Sequence, residues 1–313
     1  MSGDPVTRDD VVRAAETIRG RIRRTPILDG SALVPGLSLK AELLQHTGSF
    51  KARGVVNRLS ALGADERSKG VAGASAGNHA IALAWGAAAE GLECVVFTWS
   101  SASSFKLDRA RALGARIDAE ADDPAGAFVR LEEHLRETGA SLVHPFDDAL
   151  VMAGQGTVGL EILEDVTDPE AIVVPVGGGG LVAGIAAAVA PKGIPVIGVE
   201  PVGSPALARA LEAGKPVGVA PQTIAGGLDA PFAGRLALEV CQAAHVPVVT
   251  VTDAEIERAM RGLYAEAKLA CEPAGAAAVA AVLAGRIDAE SVVAVVSGGN
   301  VGPEIASDIL GRT

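Results

Sequence analysis

Short apolar runs alternate with segments of helical pattern along almost the whole chain. The apolar runs span residues 37–44, 70–75, 94–99, 116–120, 141–145, 171–176, 195–200, 246–251 and 291–297. Helical patterns lie between most of them, at 50–63, 77–90, 104–113, 124–138, 152–164, 180–190, 253–269 and 273–285. Nearly continuous apolar strands separated by helices are typical of parallel sheets covered on both faces. The pattern therefore predicts an α/β fold.

The composition fits a globular protein that needs no disulfides. The chain has 313 residues, of which 49% are apolar, so it can bury a large core. Cys94, Cys241 and Cys271 are far apart and form no CxxC pair, which indicates reduced, buried thiols and a cytoplasmic location. The first residues, MSGDPVTRDDVV, are polar and acidic rather than a signal peptide. Apolar stretches are too short or too interrupted to predict a membrane span.

The charge and the residue types exclude several classes of partner. The net charge of −11 opposes binding to nucleic acid or to an anionic membrane surface. Aromatic residues make up only 3%, which also disfavours base stacking. The five histidines show no HExxH or similar spacing, so we predict no metal centre.

In open parallel sheets, ligands bind beyond the carboxyl ends of the strands, so the strand-to-helix turns are the first places to look for a site. The turn in VPVGGGGLVAG contains four consecutive glycines, Gly177 to Gly180. Glycines let a backbone approach a ligand closely, and the N–H groups at a helix start attract an anion such as phosphate. A dinucleotide site, with Glu200 as the ribose partner, and a turn needed only for packing are the alternatives.

Three further turns carry polar groups. ASAGNHA, at 74–80, places Ser75, Asn78 and His79 at a helix start, which suits an oxyanion but is also an ordinary helix cap. TGSFKARG, at 47–54, contains Lys51. A lysine in an apolar pocket has a lowered pKa and can form a Schiff base, although most lysines are only surface charges.

The fourth turn is VVSGGNVG, at 295–302, in which a buried strand ends at Ser297. Its hydroxyl can bond a ring nitrogen, and a plain Gly-Gly-Asn turn is the alternative. An amine, a phosphate cradle, an oxyanion site and a neutral hydroxyl together match the needs of one cofactor. That cofactor is pyridoxal 5'-phosphate.

With these motifs the sequence resembles the serine/threonine dehydratase and serine racemase family of pyridoxal-phosphate enzymes. The resemblance covers roughly residues 5–305 and rests on GSFKARG, SAGNHA, HPFDDALVMAGQGTVGLEI, VPVGGGGLVAGI, TIAGGL, CEPAGAAAVAA and SGGNV. It implies pyridoxal-phosphate fold type II, which is tryptophan-synthase-β-like. This fold has two open, twisted, mainly parallel sheets, each flanked by helices. It also implies a large cofactor-binding domain from residues 1–67 and 148–313, with a small domain, 68–147, inserted into it.

The resemblance assigns roles to the cofactor-binding residues by motif. Lys51 forms the Schiff base with the cofactor and later transfers protons. The other implied cofactor contacts are Phe50 beside the ring, Asn78 at the ring hydroxyl, Gly177, Gly178, Gly179, Gly180 and Leu181 at the phosphate, Ser297 at the pyridine nitrogen, and Glu272 facing the cofactor region. The implied substrate contacts are Ser75, Ala76, Gly77, Asn78, His79 and Gly227.

The implied reaction is β-elimination from a hydroxy amino acid. L-Threonine gives 2-oxobutanoate and L-serine gives pyruvate, each with ammonia. A neutral hydroxyl at Ser297 stabilises a carbanion less than a carboxylate would, which suits elimination. A racemase, a β-replacement enzyme and a dehydratase for 3-hydroxyaspartate or phenylserine are the alternatives that keep the cofactor. A catalytically silent or nucleotide-binding protein of the same fold is the alternative from another class.

Two departures from the family pattern carry predictions. Serine racemases resemble SSGNH at the asparagine loop, where the second serine acts on the opposite face of Cα. Because Ala76 stands there, we expect little racemisation. The racemase-like cation site needs an acidic cluster, whereas the segment 200–206 supplies only Glu200, so we expect no metal. We also expect a homodimer, and no isoleucine-binding regulatory domain because the chain stops at residue 313.

Overall fold

The computed structural model describes residues 5–312 of the chain. Its strands in this range are β1 Ile27–Asp29, β2 Leu37–Lys40, β3 Val71–Ala74, β4 Cys94–Trp99, β5 Arg116–Ala121, β6 Ser141–Leu142, β7 Ala171–Pro175, β8 Val196–Pro201, β9 Val248–Val251 and β10 Val292–Val295. They form a six-stranded sheet in the order β1-β2-β10-β7-β8-β9 and a four-stranded sheet in the order β5-β4-β3-β6. Neighbouring strands run parallel except β1 and β2.

Helices separate most of these strands. They are α1 Arg8–Ile18, α2 Lys51–Ser60, α3 Ala64–Ser68, α4 Asn78–Ala89, α5 Ser104–Ala112, α6 Pro124–Thr138, α7 Ala149–Asp165, α8 Gly180–Val189, α9 Ala206–Ala213, α10 Arg235–Ala243, α11 Asp253–Ala265, α12 Pro273–Leu283 and α13 Pro303–Gly311. The prediction of two mainly parallel sheets flanked by helices is confirmed.

The central strands of the six-stranded sheet are buried on both faces. Ile172 and Val174 of β7 face one hydrophobic cluster, which contains residues of α7, α8 and α10. The intervening Val173 faces a second cluster with residues of α11 and α12. Because successive strand residues point to opposite faces, these three residues of β7 are placed in apolar layers on both sides of the sheet. This explains why its sequence is continuously apolar.

The four-stranded sheet uses only strands between Val71 and Leu142, and the chain enters the six-stranded sheet before and after this range. Domain boundaries at 67/68 and 147/148 stay a prediction. Several predicted strands are longer than those observed, and two of them end well before the expected residue. The strand expected at 37–44 ends at Lys40, and short 3-10 turns follow at Glu42–Leu44 and His46–Gly48. The strand expected at 141–145 ends at Leu142.

A buried group of charged side chains explains the first of these differences. Glu42 is fully buried and accepts hydrogen bonds from Arg53 Nε at 2.8 Å and from Arg53 Nη2 at 2.7 Å. Arg53, also fully buried, donates to Glu161 Oε1 at 2.7 Å, and Lys40 Nζ donates to Glu161 Oε2 at 2.6 Å. The chain turns after Lys40 because Glu42 is directed to Arg53 inside the protein. This group joins β2, α2 and α7, and it anchors α2, which begins at Lys51.

Candidate active site

A cavity of about 360 Å³ lies at the carboxyl ends of strands from both sheets. Ala74 ends β3, Pro175 ends β7 and Ser297 follows β10, and all three line the cavity. This is the position at which open parallel sheets bind ligands. The predicted site residues that line it are Phe50, Lys51, Ser75, Ala76, Gly77, Asn78, His79, Gly177, Gly178, Gly179, Gly180, Leu181, Gly227 and Ser297. Glu272 is absent from this lining.

Lys51 is the first residue of α2, and its amine projects into the cavity. Lys51 Nζ donates a hydrogen bond to Pro145 O at 2.7 Å and lies 5.1 Å from the centroid of the Phe50 ring. Burial disfavours the charged amine and lowers the pKa of Lys51 to about 8. A lysine with this pKa is a good nucleophile and proton acceptor near neutral pH.

A backbone contact holds Lys51 beside Ser297. Phe50 N donates to Ser297 O at 3.2 Å, and Ser49 forms an isolated antiparallel bridge with Gly298. The start of α2 is therefore fixed against the end of β10, although the two segments are far apart in the sequence. Ser297 is buried and its side chain lines the cavity. The structure thus brings together the amine and the hydroxyl that the sequence motifs singled out.

The glycine loop, Gly177–Gly180, leads from β7 into α8 and is closely packed. Gly179 has φ +89°, a left-handed conformation that favours glycine, and a Cβ there would lie 2.7 Å from Ala237 Cβ. A Cβ on Gly178 would overlap the ring of Phe146. Because the first N–H groups of a helix lack partners within the helix, the loop and the start of α8 present donors to an anion.

The oxyanion loop, Ser75–His79, joins β3 to α4. Ser75 Oγ accepts a hydrogen bond from Gly77 N at 3.0 Å, which closes the turn and leaves Asn78 to begin α4. His79 Nε2 lies 2.8 Å from Val143 O. Burial, reinforced by the positive charge of Lys51, lowers the pKa of His79 to about 3. His79 is therefore neutral, and the methyl group of Ala76 offers no proton at this loop.

Glu272 reaches the cavity only through another side chain. Its carboxylate lies behind Asn78 and accepts a hydrogen bond from Asn78 Nδ2 at 2.5 Å. Asn78 Oδ1 in turn accepts from Asn300 Nδ2 at 2.8 Å. Both the nitrogen and the oxygen of the Asn78 amide are therefore held by hydrogen bonds. Direct contact of Glu272 with a cofactor stays a prediction.

Several lining residues were not singled out by the sequence motifs. The backbone carbonyl of Pro145 meets Lys51, and the HPFDD motif marked this segment without indicating its role. Trp99 and Phe128 add aromatic surface to the cavity. Asp229 adds a carboxyl group, and burial raises its pKa to about 6, opposed by the positive charge of Lys106. Asp229 directly follows the TIAGGL motif, in a region that the sequence marks as relevant to substrate choice. No motif identifies Trp99 or Phe128, which tertiary packing brings to the cavity.

The carboxylate of Glu200 binds backbone N–H groups at the start of α9. It is buried, and its two carboxyl oxygens accept hydrogen bonds from Leu207 N at 2.6 Å and Ala208 N at 3.0 Å, at the start of α9. Burial raises the pKa of Glu200 to about 7. Among residues 5–312, no three His, Cys, Asp or Glu side chains are grouped as ligands for a metal ion. In the same range, no helix combines the length and apolar character that a membrane span requires.

Comparison of the sequence with known proteins finds similar relatives over nearly its whole length. The family described as pyridoxal-phosphate dependent enzyme matches residues 18–298. A catabolic L-threonine dehydratase, TdcB, of Staphylococcus aureus strain N315 is 38% identical over 95% of this chain and 89% of its own length. An L-threonine ammonia-lyase of Thermotoga maritima is 38% identical over 98% of this chain and 79% of its own length.

The solved structures that superpose well on this chain include enzymes of the same kinds as its relatives by sequence. Maize serine racemase superposes with a TM-score of 0.92 at 33% identity, covering 97% of this chain and 97% of its own. A threonine deaminase from T.th. superposes with a TM-score of 0.89 at 35% identity, covering 95% of this chain and 99% of its own. From the matched family, the relatives and the cavity with its lysine and glycine loop, we conclude that the chain belongs to the pyridoxal-phosphate dependent enzyme family.

Proposed function

We propose that this enzyme is an ammonia-lyase of the threonine/serine dehydratase type. It converts L-threonine to 2-oxobutanoate and ammonia, and L-serine to pyruvate and ammonia. The observation that carries the proposal is the placement of Lys51 Nζ in one cavity with the glycine loop and the oxyanion loop. The dehydratase and ammonia-lyase names of its curated relatives support the same reaction.

The cavity residues fit the cofactor of the family. The glycine loop, with Leu181, would hold the phosphate because side chains larger than hydrogen do not fit there and its N–H groups are available. Ser297 would bond the ring nitrogen, Asn78 the ring hydroxyl, and Phe50 would pack near the ring. When bound to Lys51, pyridoxal phosphate supplies a conjugated ring that withdraws electrons from the substrate Cα.

The protein side chains then bind the substrate and move its protons. The oxyanion loop and the start of α4 would bind the substrate carboxylate, and Gly227 would lie beside its side chain. Lys51 Nζ accepts the proton from Cα, and the released electron pair forms the Cα–Cβ double bond as the Cβ–O bond breaks. The leaving hydroxyl takes up one proton, which balances the one removed from Cα, and departs as water. Hydrolysis of the resulting enamine consumes one water, so threonine yields 2-oxobutanoate and ammonia overall.

The charges around the cavity favour a substrate with a neutral side chain. Lys51 is the only Lys or Arg among the described residues that line the cavity, and Asp229 is another charged group there. The second carboxylate of 3-hydroxyaspartate would face repulsion from Asp229, and Lys106, the cation whose charge reaches Asp229, is already paired with Glu272. Racemisation is disfavoured because neither Ala76 nor neutral His79 supplies a proton from the oxyanion loop.

Trp99 and Phe128 favour one second candidate, a dehydratase that also accepts phenylserine. Both aromatic side chains line the cavity. A 2-oxo-acid assay across L-threonine, L-serine, 3-hydroxyaspartate and phenylserine tests these alternatives. We expect turnover of L-threonine and L-serine and little turnover of 3-hydroxyaspartate. Exclusive turnover of 3-hydroxyaspartate would refute the proposal.

We also propose that the enzyme is a cytoplasmic homodimer. Cys94, Cys241 and Cys271 are free and buried, and burial raises the pKa of each thiol to about 12. Such unpaired thiols fit a reducing compartment. The family resemblance supports the dimer. Light scattering of the purified protein tests it, and a mass near 31.4 kDa would identify a monomer instead.

A further inference from the structure

Two cations of α5 reach across the cavity rim to residues that belong to the six-stranded sheet and its helices. Lys106 Nζ donates to Glu272 Oε2 at 2.5 Å, and Glu272 is the N-cap of α12. Arg109 Nη1 donates to Asn300 Oδ1, and Asn300 follows β10. α5 packs on the four-stranded sheet, between β4 and β5 in the sequence. Both contacts therefore connect the part of the chain that contains the four-stranded sheet to the part that contains the six-stranded sheet.

Asn78, at the cavity wall, links these two contacts because it is hydrogen-bonded to both Glu272 and Asn300. The hydrogen bonds form one series: Lys106 to Glu272, Asn78 to Glu272, Asn300 to Asn78, and Arg109 to Asn300. The remaining amide hydrogen of Asn300 goes to Thr47 O at 2.8 Å. The five side chains of the series form one connected polar cluster. Within it, each amide oxygen of Asn78 and Asn300 accepts from a single donor of the series.

The charged ends of the series fix the direction of every hydrogen bond within it. The carboxylate oxygens of Glu272, one of which accepts from Lys106 Nζ, serve as acceptors, so the NH2 group of Asn78 must face them. Asn78 Oδ1 must then face the NH2 group of Asn300, and Asn300 Oδ1 must face the guanidinium of Arg109, which only donates. An amide that is free to turn over has no such fixed direction. Asn78 Nδ2 keeps a second hydrogen, and Asn78 lines the cavity.

Because Glu272 is buried, its carboxylate requires a positively charged partner, which is Lys106. The side chain of Glu272 is 3% exposed and that of Lys106 is 15% exposed. A buried carboxylate without a cation is strongly disfavoured. Loss of the Lys106 contact would leave Glu272 Oε2 without its cation, so the carboxylate could turn and would no longer hold the Asn78 amide in one orientation.

We propose that Lys106 and Arg109 are positioning residues that hold the Asn78 amide with its NH2 group as a donor toward the cofactor ring. The proposal rests on the proposed function, because it assumes that pyridoxal phosphate occupies the cavity. Lys106 acts through Glu272, and Arg109 acts through Asn300. Neither cation is among the residues that line the cavity. The same contacts hold α5 against the six-stranded sheet.

The test compares Lys106→Met and Arg109→Met with Arg111→Met, a matched control on the same helix. Arg111 is exposed and pairs with Asp108 of α5 at 2.6 Å, so it does not bridge the sheets.

The cofactor-free proteins are titrated with pyridoxal phosphate, and the visible absorption band gives the dissociation constant. Loss of a hydrogen bond to a charged group predicts at least about tenfold weaker binding for Lys106→Met. The position of the band should also shift. Arg109 is exposed, so Arg109→Met should weaken binding by a few fold, and Arg111→Met should leave it unchanged.

A double-mutant cycle separates positioning from general damage. Because Lys106 acts through Glu272, the effects of Lys106→Met and Glu272→Gln on cofactor affinity should be clearly less than additive. Lys106→Arg should recover most of the affinity and the band position. Additive effects, or a Lys106→Met variant that matches Arg111→Met, overturn the proposal. A wild-type protein that shows no visible band would instead refute the proposed function, and with it this inference.

Discussion

Burial lowers the pKa of the Lys51 amine to about 8, well below that of a lysine in water. Only the neutral amine attacks the carbonyl of pyridoxal phosphate. The rate at which the cofactor-free protein takes up the cofactor should therefore rise with pH and level off above about 8. Stopped-flow absorbance checks this. An exposed lysine in a model peptide is the control, and its rate should still rise at pH 9. A protein rate that also rises tenfold from pH 8 to 9 would contradict the lowered pKa.

We propose that Ala76, which lines the cavity, limits proton transfer at the face of Cα opposite Lys51. Adding a hydroxyl there, in Ala76→Ser, should raise the formation of D-serine from L-serine at least about tenfold, because a positioned acid or base contributes substantially to proton transfer. Chiral chromatography after incubation with L-serine measures the product. Ala76→Gly changes the size without adding a hydroxyl and should form no more D-serine than the wild type. Equal D-serine formation by the two variants would show that the hydroxyl is not the missing group.

At the scale of secondary-structure elements, the glycine loop depends on packing as much as on its N–H groups. Alanine at Gly178 would overlap the Phe146 ring, so the loop must shift and the N–H groups must move. We expect Gly178→Ala to weaken pyridoxal-phosphate binding at least about tenfold and to cost about 1–3 kcal/mol of unfolding free energy. Titration and urea unfolding measure the two effects. Gly218→Ala, where a Cβ meets nothing within 4 Å, is the control and should change neither quantity. Unchanged cofactor affinity in Gly178→Ala would exclude the loop as the phosphate site.

The elements differ in how well the sequence predicts them, for physical reasons. β7 and β10 were predicted because strands buried on both faces are continuously apolar. The antiparallel strand β1, Ile27–Asp29, has only three residues and no fully buried side chain, so no apolar run marks it. Helices α1, α3, α9, α10 and α13 were also missed. In α1, for example, only Val11, Ala14 and Ile18 are buried, which leaves a short apolar stripe among charged residues.

The residues of the site also differ in whether the sequence identifies them. Lys51, Ser297 and the glycine loop stand directly in strand-to-helix turns, so local motifs identify them. Lys106 lies 166 residues from Glu272 in the sequence, and Arg109 lies 191 residues from Asn300. Only the folded chain brings these partners together, and no local pattern reports such distant pairs.

At the scale of the whole molecule, one buried ionic group connects β2, α2 and α7. Arg53 and Glu42 are both 0% exposed, so Arg53→Met leaves a carboxylate without its cation inside the protein. We expect a loss of about 3–5 kcal/mol in unfolding free energy, measured by urea unfolding of the cofactor-free protein. Arg24→Met is the control, because Arg24 is 49% exposed and its pairs with Glu164 and Asp165 are worth about 1 kcal/mol or less. Equal losses in both variants would contradict a special role for the buried group.

The central claim is that Lys51 and the surrounding loops dehydrate a hydroxy amino acid. The most direct measurement is the yield of 2-oxobutanoate and of ammonia from L-threonine with the cofactor-loaded enzyme. Loss of water followed by uptake of water requires the two products in equal amounts. We predict a one-to-one ratio with the wild type, and no product with Lys51→Ala, which should also lose the visible absorption band of the bound cofactor. Failure of the loaded wild type to form 2-oxo acid from either L-threonine or L-serine would contradict the claim.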